Sequence, residues 1–289
     1  MHGGRPDGVL REGGNGDIMN TMFKLFMTSS PMGAYRSVEA PAFKGLDPSN
    51  GLVDELKHYW REDSRCLLIS AFPDEYSVND RMRADFERIF RETGLSLECM
   101  DLCDRRNGRE SVSKLSHYDM VILGGGHVPT EKAFFDEIEL RDALHGVNDL
   151  EGNTQNGDSS DGHSWDGIIM GISAGSMNCA DLVYAQPEMP GEAVDPSYQK
   201  FIRGLGLTDV NVLPHYQAVK NDWVDRMRLM EDITYPDSVG RTFYAIVDGS
   251  FVLQTEGRKE IRGEAYRISD GRIEKVCERG GVLKLSSHK

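Results

Sequence analysis

The run Ile168-Ile169-Met170-Gly171-Ile172-Ser173-Ala174-Gly175-Ser176 decides how this chain is read. Residues 168–172 form the apolar stretch that a buried strand requires, and the small residues after Ser173 suit a tight turn into a helix. A serine hydroxyl is a poor nucleophile until a base takes its proton and N–H donors receive the oxyanion. The G-x-S-x-G arrangement meets part of that need. It exposes the hydroxyl on a strained strand-to-helix turn and sets the positive end of a helix beside it. Ser173 is therefore the expected nucleophile of a hydrolase built on an α/β sheet.

Working outward, strands and helices alternate. Met22–Met27, Cys66–Ser70, Leu95–Met100 and Met120–Leu123 read as buried strands before the elbow strand Ile168–Ile172, and Val210–Leu213 as one after it. Helical spacing of apolar residues marks 52–60, 77–93 and 130–144, with short helices expected at 175–182 and 222–234. Such alternation predicts a mostly parallel sheet covered on both faces. Phe243 to Leu285 carries short β runs separated by Asp-Gly and Glu-Gly turns, an expected antiparallel extension. Residues 146–166 are rich in Gly, Asn, Asp and Ser and read as a polar insertion. Residues 1–21 lack the apolar core of a signal peptide and read as a disordered leader, leaving 22–289 as a single domain.

Bulk composition narrows the function classes. The chain has 289 residues and a net charge of −14, which disfavours nucleic acid and anionic membrane surfaces as partners. No apolar run approaches the roughly 20 residues that span a bilayer. Five cysteines, an odd number lying partly in apolar runs, read as reduced thiols, so a cytoplasmic location is expected. Cys99 and Cys103 have no second Cys or His pair at zinc spacing.

Two further features bear on chemistry. His215, in Leu213-Pro214-His215-Tyr216, follows an apolar strand, where α/β sheets place their sites. His127 is its competitor as a base. It follows Gly124-Gly125-Gly126, which closes another buried strand and lets backbone N–H groups approach a ligand. The P-loop Lys and Ser/Thr are missing, so an oxyanion donor is the better reading of the glycines than a phosphate cradle.

Taken in order, GGG at a strand end, G-x-S-A-G-S after the next strand and P-H-Y some 40 residues later resemble the peptidase E (aspartyl dipeptidase) and cyanophycinase family of serine peptidases. The resemblance spans about Met22 to Glu256 and includes Ala245-Ile-Val-Asp-Gly-Ser250. It implies a class I glutamine amidotransferase-like three-layer α/β sandwich, a small peptide substrate, and neither metal nor cofactor; a homodimer is a candidate assembly. By resemblance Ser173 is the nucleophile and His215 the general base, with the N–H groups of Ala174 and Gly126 as oxyanion hole. Glu188, in Gln186-Pro187-Glu188-Met189-Pro190, stands where the family carries its acid, with Asp181, Glu192 and Asp195 as rivals. Gly125, His127 and Ser176 are the expected substrate-lining residues. The family has Asn where this chain has His127, and the nearest cations after His215 are Lys220, Arg226 and Arg228. The alternatives are a catalytically inactive amidotransferase-like binding module and an α/β-hydrolase esterase, whose histidine would lie near the C-terminus, where this chain has His288.

Overall fold

The computed structural model describes residues 23–33, 45–149 and 165–286. The expected leader lies outside them, as does 150–164 of the expected insertion, whose first residues instead finish a helix.

Strands β1 (Lys24–Thr28), β2 (Ser64–Ile69), β3 (Leu97–Cys103), β4 (Met120–Leu123) and β5 (Ile168–Ile172) alternate with helices α1 (Leu52–Tyr59), α2 (Tyr76–Thr93), α3 (Gly108–Val112), α4 (Val128–Glu137) and α5 (Leu140–Asp149). After β5 come α6 (Ala174–Met177), β6 (Leu182–Tyr184), β7 (Phe201–Arg203), β8 (Val212–Leu213) and α7 (Tyr216–Val219). There follow β9 (Trp223–Val224), β10 (Met227–Arg228), a π-helical turn (Leu229–Thr234) and α8 (Tyr235–Asp237). The chain ends in β11 (Thr242–Ile246), β12 (Phe251–Thr255), β13 (Arg258–Arg262), β14 (Ala265–Ser269), β15 (Arg272–Cys277) and β16 (Val282–Lys284).

The main sheet has eight strands in the order β16-β13-β12-β1-β5-β4-β2-β3. Its β1-β5-β4-β2-β3 half is parallel, and β12, β13 and β16 add antiparallel strands at the β1 edge. Alternate residues of one strand face opposite ways, which builds the three layers. Phe26, Leu68, Ile122 and Met170 join Leu56, Phe86 and Phe90 of α1 and α2 on one face. Leu25, Leu67, Val121 and Ile169 join Phe134, Phe135 and Leu144 of α4 and α5 on the other.

The antiparallel extension is present but splits between two sheets. β12, β13 and β16 widen the main sheet, while β14 and β15 join β11 and β8 in a second sheet of order β15-β14-β11-β8. β8 and β11 are parallel, with Val212 opposite Tyr244 and Leu213 opposite Ala245.

Three helices differ from the reading by spacing. The expected helix 130–144 is two helices, α4 and α5, broken near Glu139, whose φ is 57°. The helix expected at 175–182 stops after a single turn. Residues 222–228 form the β9–β10 hairpin instead of a helix, with Asp225 and Arg226 at positive φ in its turn.

Candidate active site

Every group that matters here follows the C-terminal end of a strand: Ser29 after β1, Gly124–Gly126 after β4, Ser173 after β5, His215 after β8 and Asp248 after β11. In α/β sheets that edge carries the sites.

Ser173 has φ 52° and ψ −114°, a conformation rare for a side chain other than glycine. The turn is held on several sides. Ser173 N–H donates to the Thr28 carbonyl (3.0 Å) and Gly175 N–H to that of Gly124 (3.0 Å). The backbone packs too tightly for larger residues. A Cβ on Gly175 would stand 2.4 Å from the Leu123 carbonyl oxygen, and one on Gly171 2.6 Å from Ser176 Cα. Gly175→Ala is therefore expected to lose about 3 kcal/mol of stability, read by denaturant unfolding, because main chain must move to admit the methyl.

His215 also has a left-handed backbone, φ 58° and ψ 28°, as the N-cap of α7. Its Nδ1–H donates to Asp248 Oδ1 (2.6 Å), and Ser173 Oγ–H donates to its Nε2 (2.8 Å). An ionised Asp248 accepts only, which puts the ring proton on Nδ1 and leaves the Nε2 lone pair for Ser173. Asp248 is gripped by its neighbours. Ser29 Oγ donates to Oδ1 (2.6 Å), Gln217 Nε2 donates to Oδ2 (2.6 Å), and Asp248 N–H donates to Gln217 Oε1 (3.0 Å). Ser29 Oγ in turn accepts the His215 N–H (2.8 Å). Burial alone would raise the Asp248 pKa, but hydrogen bonds from His215 and Ser29, the His215 charge and the Gln217 amide outweigh it and hold the carboxyl below its ordinary value. With that sign, Asp248 adds stability above the ordinary carboxylate range and loses it as pH falls through the lowered pKa.

Sequence reasoning pointed to Glu188 as the carboxylate on His215, and the structure sets Asp248 there instead. The loop bearing Glu188 is tied elsewhere. Glu192 Oε2 accepts the N–H groups of Glu188 and Met189 (both 2.9 Å), and Glu192 Oε1 accepts from His127 Nε2 (2.7 Å). Asp225 on the β9–β10 turn accepts from Gly191 and Ala193 N–H. Asp181 pairs with Arg141, and Asp195 accepts from Ser197. Burial of the Glu188 carboxyl pushes its pKa up, against the charge of His127, the Val128 N–H and the charge of His215. It thus lies within electrostatic reach of the site without bonding to the imidazole.

The remaining expected residues divide. Ala174 and Gly126 flank the elbow, and among the described residues neither N–H meets an acceptor. Gly125 lies against Ser173: a Cβ on it would be 3.2 Å from Ser173 Cβ. His127 is half-buried between Glu192 and Thr130. Ser176 is corrected. It is fully buried and its hydroxyl is committed to the Thr28 carbonyl (2.8 Å), so it braces the elbow and offers nothing to a substrate. Arg228 is paired with Asp232. His288 lies outside the described residues.

The sequence carries a local sign of Asp248 that its neighbours alone do not connect to His215. An Asp-Gly just past the apolar strand Thr242–Ile246 repeats the placement of His215 past Val212–Leu213, and the parallel pairing of those strands brings the two side by side.

Among the described residues, no helix is long and apolar enough to cross a membrane. Residues 164–262, which include Ser173, His215 and Asp248, match the model of peptidase family S51. No curated protein matches the chain. The fold is similar to that of a peptidase from an acI-B1 actinobacterium, with TM-score 0.60 and 14% identity over 92% of this chain and 98% of the other. A proposed peptidase E from Listeria monocytogenes EGD-e aligns with TM-score 0.48 and 14% identity over 91% of this chain and 99% of that one.

Proposed function

We propose that this chain is a serine peptidase of the kind found in family S51, that it works through a Ser173-His215-Asp248 triad and that it trims short peptides carrying a free amino terminus. The observation that carries the first half is the unbroken line from Ser173 Oγ through His215 to Asp248, with links of 2.8 and 2.6 Å. His215 takes the Ser173 proton as the hydroxyl attacks the scissile carbonyl. Asp248 stabilises the imidazolium and fixes its tautomer. The N–H groups of Ala174 and Gly126 receive the oxyanion, and Ser173's own N–H is already spent on Thr28. His215 then protonates the leaving amine, and water, activated by the same imidazole, releases the acyl enzyme.

The second half rests on Glu188. The Glu188 residue is exposed, yet desolvation of its carboxyl raises its pKa, so a cation that comes to it compensates that carboxyl, and the cation every unblocked peptide brings is its α-ammonium. The loop bonds from Glu192 and Asp225 would hold that carboxylate at a fixed distance from Ser173 and so limit how many residues fit on the acyl side. Glu188→Gln is expected to raise KM for free dipeptides about tenfold, the worth of one charge-assisted contact, with little change in kcat. N-acetylated peptides should be poor substrates of wild type and indifferent to the substitution. Equal cleavage of free and acetylated peptides by wild type would defeat the free-amine reading and leave the triad untouched.

A further inference from the structure

Glu131 is a carboxylic acid with no exposure to solvent, on the first turn of α4. Burial with so little to compensate raises its pKa well above the ordinary range, the Asn178 amide opposing. Its Oε2 accepts a hydrogen bond from Asn178 Nδ2 (2.8 Å), and the same amide donates to the Val128 carbonyl (3.3 Å). Oε1 and Asn178 Oδ1 have no partner among the described residues. Two unsatisfied buried oxygens are costly, and leucine or methionine would fill the space more cheaply.

The position of the pair points to its use. Asn178 ends α6, the helix that begins at Ala174, and it is fully buried too. Glu131 and Val128 belong to the first turn of α4, directly after Gly126 and His127, and Glu131 N–H donates to the His127 carbonyl (3.0 Å). α6 thus starts at Ala174 and α4 two residues past Gly126, the two N–H groups assigned to the oxyanion, and the Asn178 amide bridges the two helices. Apart from it, Gly175 N–H to the Gly124 carbonyl is the direct backbone bond between the glycine loop and the elbow.

We propose that Glu131, through Asn178, is a positioning residue that sets the separation of the Ala174 and Gly126 N–H groups and so tunes the oxyanion hole. The inference rests on the oxyanion reading given above. An oxyanion pocket is sensitive to small displacements, since misplacement by about 1 Å can cost about 100-fold in rate. The side chain acts as a buried strut through its hydrogen bond to Asn178.

The test compares Glu131→Ala, Glu131→Gln and Asn178→Ala in the full chain. Measurements are kcat, KM, and inhibition by a dipeptidyl trifluoromethyl ketone, which forms a tetrahedral adduct, against inhibition by the cleaved product. Glu131→Ala and Asn178→Ala are expected to lower kcat and ketone affinity together by about 30- to 100-fold, with KM and product inhibition within about twofold. Glu131→Gln, whose amide oxygen can accept the same bond without ionising, should restore most of both. Should Glu131→Ala and Asn178→Ala fail to fold, Glu131→Gln and Asn178→Ser carry the comparison, with near-wild-type behaviour expected of the first and the kcat and ketone defect of the second. The inference is overturned if the variants lose thermal stability but keep wild-type kcat and ketone affinity, or if Glu131→Gln is as impaired as Glu131→Ala. If wild type itself binds the ketone no better than the product, the oxyanion reading falls and the inference falls with it. Tight ketone binding by wild type and Glu131→Ala alike defeats the strut alone.

Discussion

Asp248→Asn is expected to lower kcat by about 10⁴-fold, because an amide facing Nδ1 can donate where the carboxylate accepted, which drives the ring proton to Nε2 and turns a donor toward Ser173. The fold should tolerate the change, since the amide oxygen can still accept from Ser29 or Gln217. Glu188→Gln, by contrast, should leave kcat within about tenfold of wild type. Steady-state kinetics on one unblocked dipeptide decide between the two carboxylates. A collapse of kcat in Glu188→Gln with Asp248→Asn near wild type would reverse the assignment.

Ser173→Ala removes the nucleophile and is expected to lower kcat by about 10⁶-fold, with substrate binding nearly unchanged. The residue left behind must still adopt φ 52°, so part of the elbow strain persists and the melting temperature should move little. A fluorophosphonate probe should label wild type and leave Ser173→Ala unmarked. Turnover retained in Ser173→Ala would end the serine mechanism, and absence of labelling in wild type would favour an inactive amidotransferase-like module.

What the sequence made legible was local. Ser173, Ala174, Gly126 and His215 each sit in a short pattern whose chemistry is set by immediate neighbours, and the strands before them are runs of apolar residues. Asp248 depends on a pairing between β8 and β11 that joins residues about thirty apart, and nothing near the elbow announces it. Glu188 stands where the resembled family carries its acid, but its loop is tied to Glu192 and it is Asp248 that bonds to His215 Nδ1. The same limit hid the course of the C-terminal strands. Their β character was readable, but which sheet each joins is a matter of long-range register. The hairpin at Trp223–Arg228 was hidden because its turn uses Asp225 and Arg226 at positive φ, where glycine would have given the signal.

The parallel pairing of β8 with β11 also has a consequence in time. During synthesis the ribosome delivers the proposed nucleophile Ser173 first, the proposed base His215 about forty residues later and the proposed acid Asp248 some thirty after that. A chain that has emerged only as far as α8 holds Ser173 and His215 but lacks the strand that carries Asp248, and β12, which seals the edge of β1 beside Ser29, is absent as well. On the proposed triad, nascent protein is expected to be proteolytically silent, hydrolytic competence arriving only with the non-local pairing of β11 with β8.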